Sequence, residues 1–94
     1  MQINEIKRII QKEVEKRGYV CEERKSISTD SWYFSISKPD SNVKLLFRVA
    51  NHKATKGVKT LRIDHKINQE VVERFVINCC KDLSYRVIKN LLGM

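Results

Sequence analysis

Trp32-Tyr33-Phe34-Ser35-Ile36-Ser37, then Lys38-Pro39-Asp40-Ser41-Asn42, then Val43-Lys44-Leu45-Leu46-Phe47-Arg48-Val49-Ala50: the reading of this stretch decides the fold. The first six residues alternate, with Trp32, Phe34 and Ile36 on one side and Tyr33, Ser35 and Ser37 on the other, the two-residue period of a half-buried strand. The middle five are residue types that tight turns prefer, so the chain returns antiparallel. The last eight alternate again, placing Val43, Leu45, Phe47 and Val49 inward and Lys44, Leu46 and Arg48 outward. Leu46 is the one apolar side chain set among cations. A hairpin of this kind has one apolar face, which other elements must cover.

Working outward, Ile3, Ile6, Ile10 and Val14 recur at spacings of three and four and form one stripe of a helix, with Lys7, Lys12, Glu13 and Lys16 outside it. Gly18 is suited to end that helix in a left-handed cap. Tyr19 to Ile27 is polar and reads as a short or irregular first strand, with Tyr19, Cys21 and Ile27 its candidates for the inner face. Downstream, Asn51 to Gly57 reads as a polar loop. Val58 to Ile63 then reads as a strand with Lys59, Leu61 and Ile63 on one face, Lys59 at the rim, and Val58, Thr60 and Arg62 on the other. Asn68 is placed to cap a second helix whose positive end suits Glu70 and Glu73 and whose stripe is Val72, Phe75, Val76, Cys79 and Leu83. That helix runs on through Tyr85, Val87, Ile88, Leu91 and Leu92, with Asp82, Leu83 and Ser84 as a place to bend.

The order expected is α-β-β-β-β-α. It describes an α+β domain of two layers, an antiparallel sheet of three to four strands with an N-terminal and a C-terminal helix on one face. Ninety-four residues suffice for one core and not for two, so residues 1–94 are read as a single domain. Apolar residues make up 41% and charged residues 32%, the balance of a folded unit.

No run approaches the roughly 20 apolar residues that cross a bilayer. The first residues lack the basic-then-apolar order of a signal peptide. Three cysteines, with Cys79 and Cys80 adjacent, form neither a disulfide ladder nor a CxxC knuckle. The expected location is therefore the cytoplasm, with no membrane partner, and the cysteine pair is read as small apolar residues rather than a redox or metal site. No cofactor is expected.

The net charge of +8 is concentrated. Between Lys38 and Lys66 lie eight basic residues (Lys38, Lys44, Arg48, Lys53, Lys56, Lys59, Arg62, Lys66) against two acidic ones, Asp40 and Asp64. With both helices on one side of the sheet, the opposite face presents Tyr33, Ser35, Lys44, Leu46, Arg48, Thr60 and Arg62. Cations there can neutralise phosphates while Tyr33 and Leu46 offer stacking and apolar contact. The plain alternative is a solvated face whose cations discourage edge-to-edge aggregation.

His52 and His65 each follow an arginine on a strand and precede a lysine, and two histidines with a lysine can cleave RNA by general acid-base chemistry without a metal. In a hairpin, however, the two would lie roughly 20 Å apart. A single-histidine site at His52, with Asn51 and Lys53 beside it, is what remains. Two histidines without a carboxylate cluster do not make a metal site.

Ser28-Thr29-Asp30-Ser31-Trp32-Tyr33-Phe34-Ser35, followed after the turn by Phe47-Arg48-Val49-Ala50-Asn51-His52, resembles a pattern of small phage and mobile-element proteins. There a Ser-rich strand with Tyr precedes a strand reading Arg, apolar, small, Asn or Asp, His. Among such proteins is a broad-acting inhibitor of type II-A CRISPR nucleases, similar over about Ser28 to Leu83 and including the helix that follows. Ala50 stands where that pattern has Ser. The resemblance implies an anti-CRISPR that engages the effector ribonucleoprotein or its guide RNA, in the host bacterium, through Arg48, Asn51 and His52. A fainter likeness, through Gly18 and Tyr19, is to mRNA-interferase toxins, which carry their histidine on a middle strand where this chain has Trp32, Tyr33 and Phe34.

Tyr33, Lys44, Arg48, Asn51, His52, Lys53, Lys56, Lys59 and Arg62 are thus the candidate binding residues. The expected function is a phage-type inhibitor, not an enzyme, that binds a CRISPR effector ribonucleoprotein or nucleic acid through a basic sheet face. The alternative is a metal-independent ribonuclease using His52, with Lys53 or Arg48 stabilising the charge that develops on the phosphate. The chain is expected to be a monomer or a homodimer, the latter formed through the second helix.

Overall fold

The structure, a computed structural model, describes residues 2–26, 31–52, 57–78 and 84–93, with 51, 52, 57–59 and 78 described by their backbone alone. The elements are α1 (Ile3–Arg17), β1 (Val20–Lys25), β2 (Ser31–Ser37), β3 (Val43–His52), β4 (Gly57–Ile67), β5 (Glu70–Asn78) and α2 (Tyr85–Leu92). The strands form one antiparallel meander in the order β1-β2-β3-β4-β5. The class is α+β as expected, with five strands rather than four.

The deciding hairpin forms as read. Phe34, Phe47 and Ile63 are register partners across β2, β3 and β4, and Ile36 and Leu45 form the next rung. All are fully buried, together with Val49 and Leu61. Ile6, Ile10 and Val14 of α1 and Ile88 and Leu92 of α2 pack into the same cluster, so both helices lie on this one face. Gly18 caps α1 with φ of 71°, and its neighbours close the helix through Tyr19 N–H to the Val14 carbonyl at 2.9 Å. Tyr19 and Cys21 pack against the core as expected of the first strand, and Ile27 lies outside the described residues.

Where the two helices meet, the buried carboxylate of Glu13 accepts a hydrogen bond from the Tyr85 hydroxyl. Arg17 lies 3.5 Å from the same carboxylate and donates to the Lys89 carbonyl at 3.3 Å. The Tyr85 bond holds the Glu13 carboxyl below its usual range against the opposing effect of burial, with Lys16, Lys89 and Arg17 adding to it.

The second helix departs from expectation. Asn68 does not cap a helix; Asn68 and Gln69 take positive φ values of 52° and 68° and form the turn between β4 and β5. Two consecutive left-handed residues match the twist of a tight hairpin, and they cannot start a helix. Glu70 to Asn78 is then a strand. Val72 and Val76, assigned to a buried helical stripe, are exposed, and Phe75 and Ile77 alternate instead onto the inner face. Five of those nine residues are Val, Ile or Phe, β-branched or aromatic, and these prefer a pleated surface. The first part of the expected second helix is therefore a strand. The actual helix starts where the bend was expected: Ser84 caps α2, its hydroxyl accepting from Val87 N–H at 3.3 Å. Cys79, Cys80 and Leu83 lie outside the described residues.

The strands also run longer than their alternation implied. Asn51 and His52, read as loop, complete β3, while Gly57 opens β4 and His65 lies within it. The register passes from Ala50↔Thr60 to Asn51↔Val58, leaving Lys59 in a bulge, and a second irregularity at His65/Lys66 leaves Val72 unmatched.

Candidate functional site

Register partners share a face, so the pairing defines the surface opposite the helices. One rung reads Arg24-Tyr33-Arg48-Arg62-Val76 from β1 to β5; the next reads Glu22-Ser35-Leu46-Asp64-Arg74; the third reads Val20-Ser37-Lys44-Lys66-Val71. Among the described residues no helix covers these rungs. Tyr33, Lys44, Arg48 and Arg62, four of the candidates, are brought together on this one surface.

Three cations of the face were not among the candidates. Arg24 lies over the Tyr33 ring at 5.1 Å, and the two residues line a concavity with Glu22, Ser35 and Leu46. Reading β1 as irregular hid Arg24, although Cys21 facing inward already places Glu22 and Arg24 outward. Arg74 was hidden by the helical reading of β5. Lys66 is half-buried on the third rung.

Asp64 organises the centre. Its carboxylate, 3% exposed, accepts from Arg74 Nε at 2.6 Å and from Arg74 Nη2 at 3.3 Å, and Arg62 Nε stands 3.9 Å away. The Arg74 bonds hold the Asp64 carboxyl below the usual carboxylate range and more than offset its burial, and Arg62 and Lys66 add to the effect. The same pairing pushes the Arg74 guanidinium above its ordinary value. Asp64 is therefore a fixed anion that orients Arg74 and Arg62. Arg48 is the counterpart: its Nε is buried and has no hydrogen-bond acceptor among the described residues.

The histidines are kept apart. His52 pairs with Gly57 at one end of the β3–β4 ladder, and His65 pairs with Leu45. Seven residues of strand separate the two positions, about 23 Å. His65 also belongs to the inner-face rung Cys21-Ile36-Leu45-His65-Glu73. A paired-histidine site is thus ruled out by register. Asn51 and His52 end β3, while Lys53 and Lys56 lie outside the described residues, as do the side chains of Asn51, His52 and Lys59. Among the described residues no group of three His, Cys, Asp or Glu converges on a point that could hold a metal ion, and no helix is long and apolar enough to cross a membrane.

No family model matches the chain, and no curated protein or solved structure is significantly similar to it.

Proposed function

We propose that the chain binds nucleic acid, free or within a ribonucleoprotein, through the open face of its sheet and acts by occupying that ligand rather than by cleaving it. The observation that carries the reading is the rung Arg24-Tyr33-Arg48-Arg62, three guanidinium groups and an aromatic ring on a surface the helices leave bare. Guanidinium groups match phosphate oxygens in pairs, and an aromatic ring accepts any base. Arg48 supports the reading further, because no carboxylate among the described residues pairs with it. The resemblance of Ser28–His52 to small phage proteins makes the target a CRISPR effector ribonucleoprotein and the mode of action inhibition by blocking its guide RNA or its nuclease.

The experiment is a pull-down from bacterial lysate with tagged protein, with and without nuclease treatment, beside a variant carrying Lys44→Glu, Arg48→Glu and Arg62→Glu. Capture of nucleic acid or ribonucleoprotein by the wild type, lost in the variant while its circular dichroism is unchanged, is the expected result. Equal capture by the folded variant would end the reading. Incubating the same preparation with RNA in chelator is expected to leave the RNA intact; cleavage that depends on His52 would replace occupancy with a ribonuclease.

A further inference from the structure

Two rungs of the open face set like charges directly against each other. Arg48 is the register partner of Arg62, Lys44 that of Lys66, and Leu46 and Asp64 occupy the rung between them. Like charges opposite each other on one sheet face are destabilising. Asp64 relieves only part of this, because its bonds go to Arg74 and its longer contact to Arg62. No ion pair among the described residues joins Arg48 or Lys44 to a carboxylate. The free protein therefore holds Arg48 and Lys44 without a carboxylate partner among the described residues, one on either side of a buried anion.

Their spacing defines the ligand. Four residues of strand separate the rungs, about 13 Å. Successive phosphates of an extended single strand lie roughly 6–7 Å apart, so phosphates two nucleotides apart meet the two rungs. The phosphate between them then passes over the middle rung, where Leu46 lies beside an Asp64 carboxylate that is 3% exposed and already bonded by Arg74. Tyr33 lies beside Arg48 on the first rung, next to where a phosphate would sit. A base reaches that ring only if it is unpaired and turned outward, as in a single strand; in a duplex the bases face each other.

We propose that the face is a single-strand site: an RNA or DNA strand runs along β3 and β4, with phosphates on the Arg48–Arg62 and Lys44–Lys66 rungs and a base on Tyr33. This rests on the nucleic-acid reading above and narrows it to a strand form, a direction along the sheet and a two-nucleotide spacing.

The test titrates labelled oligouridylates of increasing length, and an RNA duplex of matched length, into the wild type and into Lys44→Gln/Lys66→Gln, Arg48→Gln/Arg62→Gln and Tyr33→Leu variants at several salt concentrations. The single strand is expected to bind more tightly than the duplex. Each rung removed should lower the magnitude of the salt slope by about 0.7, the value for one phosphate contact on a single strand. Tyr33→Leu should weaken binding roughly five- to hundredfold and leave the slope unchanged. The single variants Lys44→Gln and Arg48→Gln give the same reading if a double variant does not fold. Duplex bound as tightly as single strand, or slopes unchanged in folded rung variants, would overturn the inference while leaving nucleic-acid binding in place. A wild type that binds neither form would overturn both.

Discussion

Asp64 is the residue on which the open face turns. It is an almost inaccessible carboxylate in the middle of a surface otherwise suited to anions, and its partners are the arginines on either side. Asp64→Asn removes the charge that fixes Arg74 and Arg62, so the variant should be less stable at neutral pH and should hold those guanidinium groups less firmly. The pH dependence has a definite sign. A carboxyl depressed on folding contributes stability that is fully present above its unfolded pKa and is lost as pH falls through its lower folded pKa. Asp64 and Glu13 both behave in this way, so urea unfolding should show stability falling on the acid side, below the ordinary carboxylate range of about 4. The gap between wild type and Asp64→Asn should narrow over the same interval; a gap that persists at low pH would contradict the assignment. In the core, Phe47 is fully buried between Phe34 and Ile63, and Phe47→Ala should cost about 3–5 kcal/mol by denaturant titration.

Among the elements, β5 and its turn show what periodicity can and cannot tell. Val72, Phe75 and Val76 satisfy a helical stripe, but Phe75 and Ile77 also satisfy a strand, and the apolar pattern alone fits both. The deciding signal was the density of β-branched residues, with Asn68 and Gln69 acting as a turn pair rather than a cap. Gln69→Gly tests this directly. Glycine adopts the positive φ of this position without strain, so the hairpin should gain up to about 1 kcal/mol after the entropy of the unfolded chain is set against it. Within a helix the same change would cost about 1 kcal/mol, so a lowered melting temperature would sink the turn assignment. Lys44 belongs to the same scale. Lys44→Gln relieves its repulsion with Lys66 and should raise stability by about 0.2–1 kcal/mol while weakening nucleic-acid binding. A variant that loses stability instead would show that the rung is not repulsive in the free protein.

At the scale of the whole molecule, the helices divide the sheet into a covered face that carries the core and a bare face that carries the cations. This division was legible in the sequence, because strict alternation from Trp32 to Ala50 fixes which side chains share a face and two amphipathic helices leave one face over. Tyr33, Lys44 and Arg48 could be placed together from that alternation, and Arg62 from the alternation of Val58 to Ile63. Arg24 and Arg74 were missed, one on a polar strand where only the inward Cys21 marks the period and the other on a strand that also reads as a helix. The pairing of Arg48 with Arg62 and of Lys44 with Lys66 was illegible for another reason: it depends on the register of two strands, which side-chain alternation within each strand does not set. Leu46 reports on the result, because among the described residues it is the leucine of the bare face while Leu45 and Leu61 lie in the core. The most direct measurement is a methyl NMR titration of the leucine-labelled protein with oligouridylate. The Leu46 methyls should shift progressively with added strand while those of Leu45, Leu61 and Leu92 hold their positions; a still Leu46 beside moving helix resonances from Leu91 or Leu92 would place the ligand elsewhere and contradict the account.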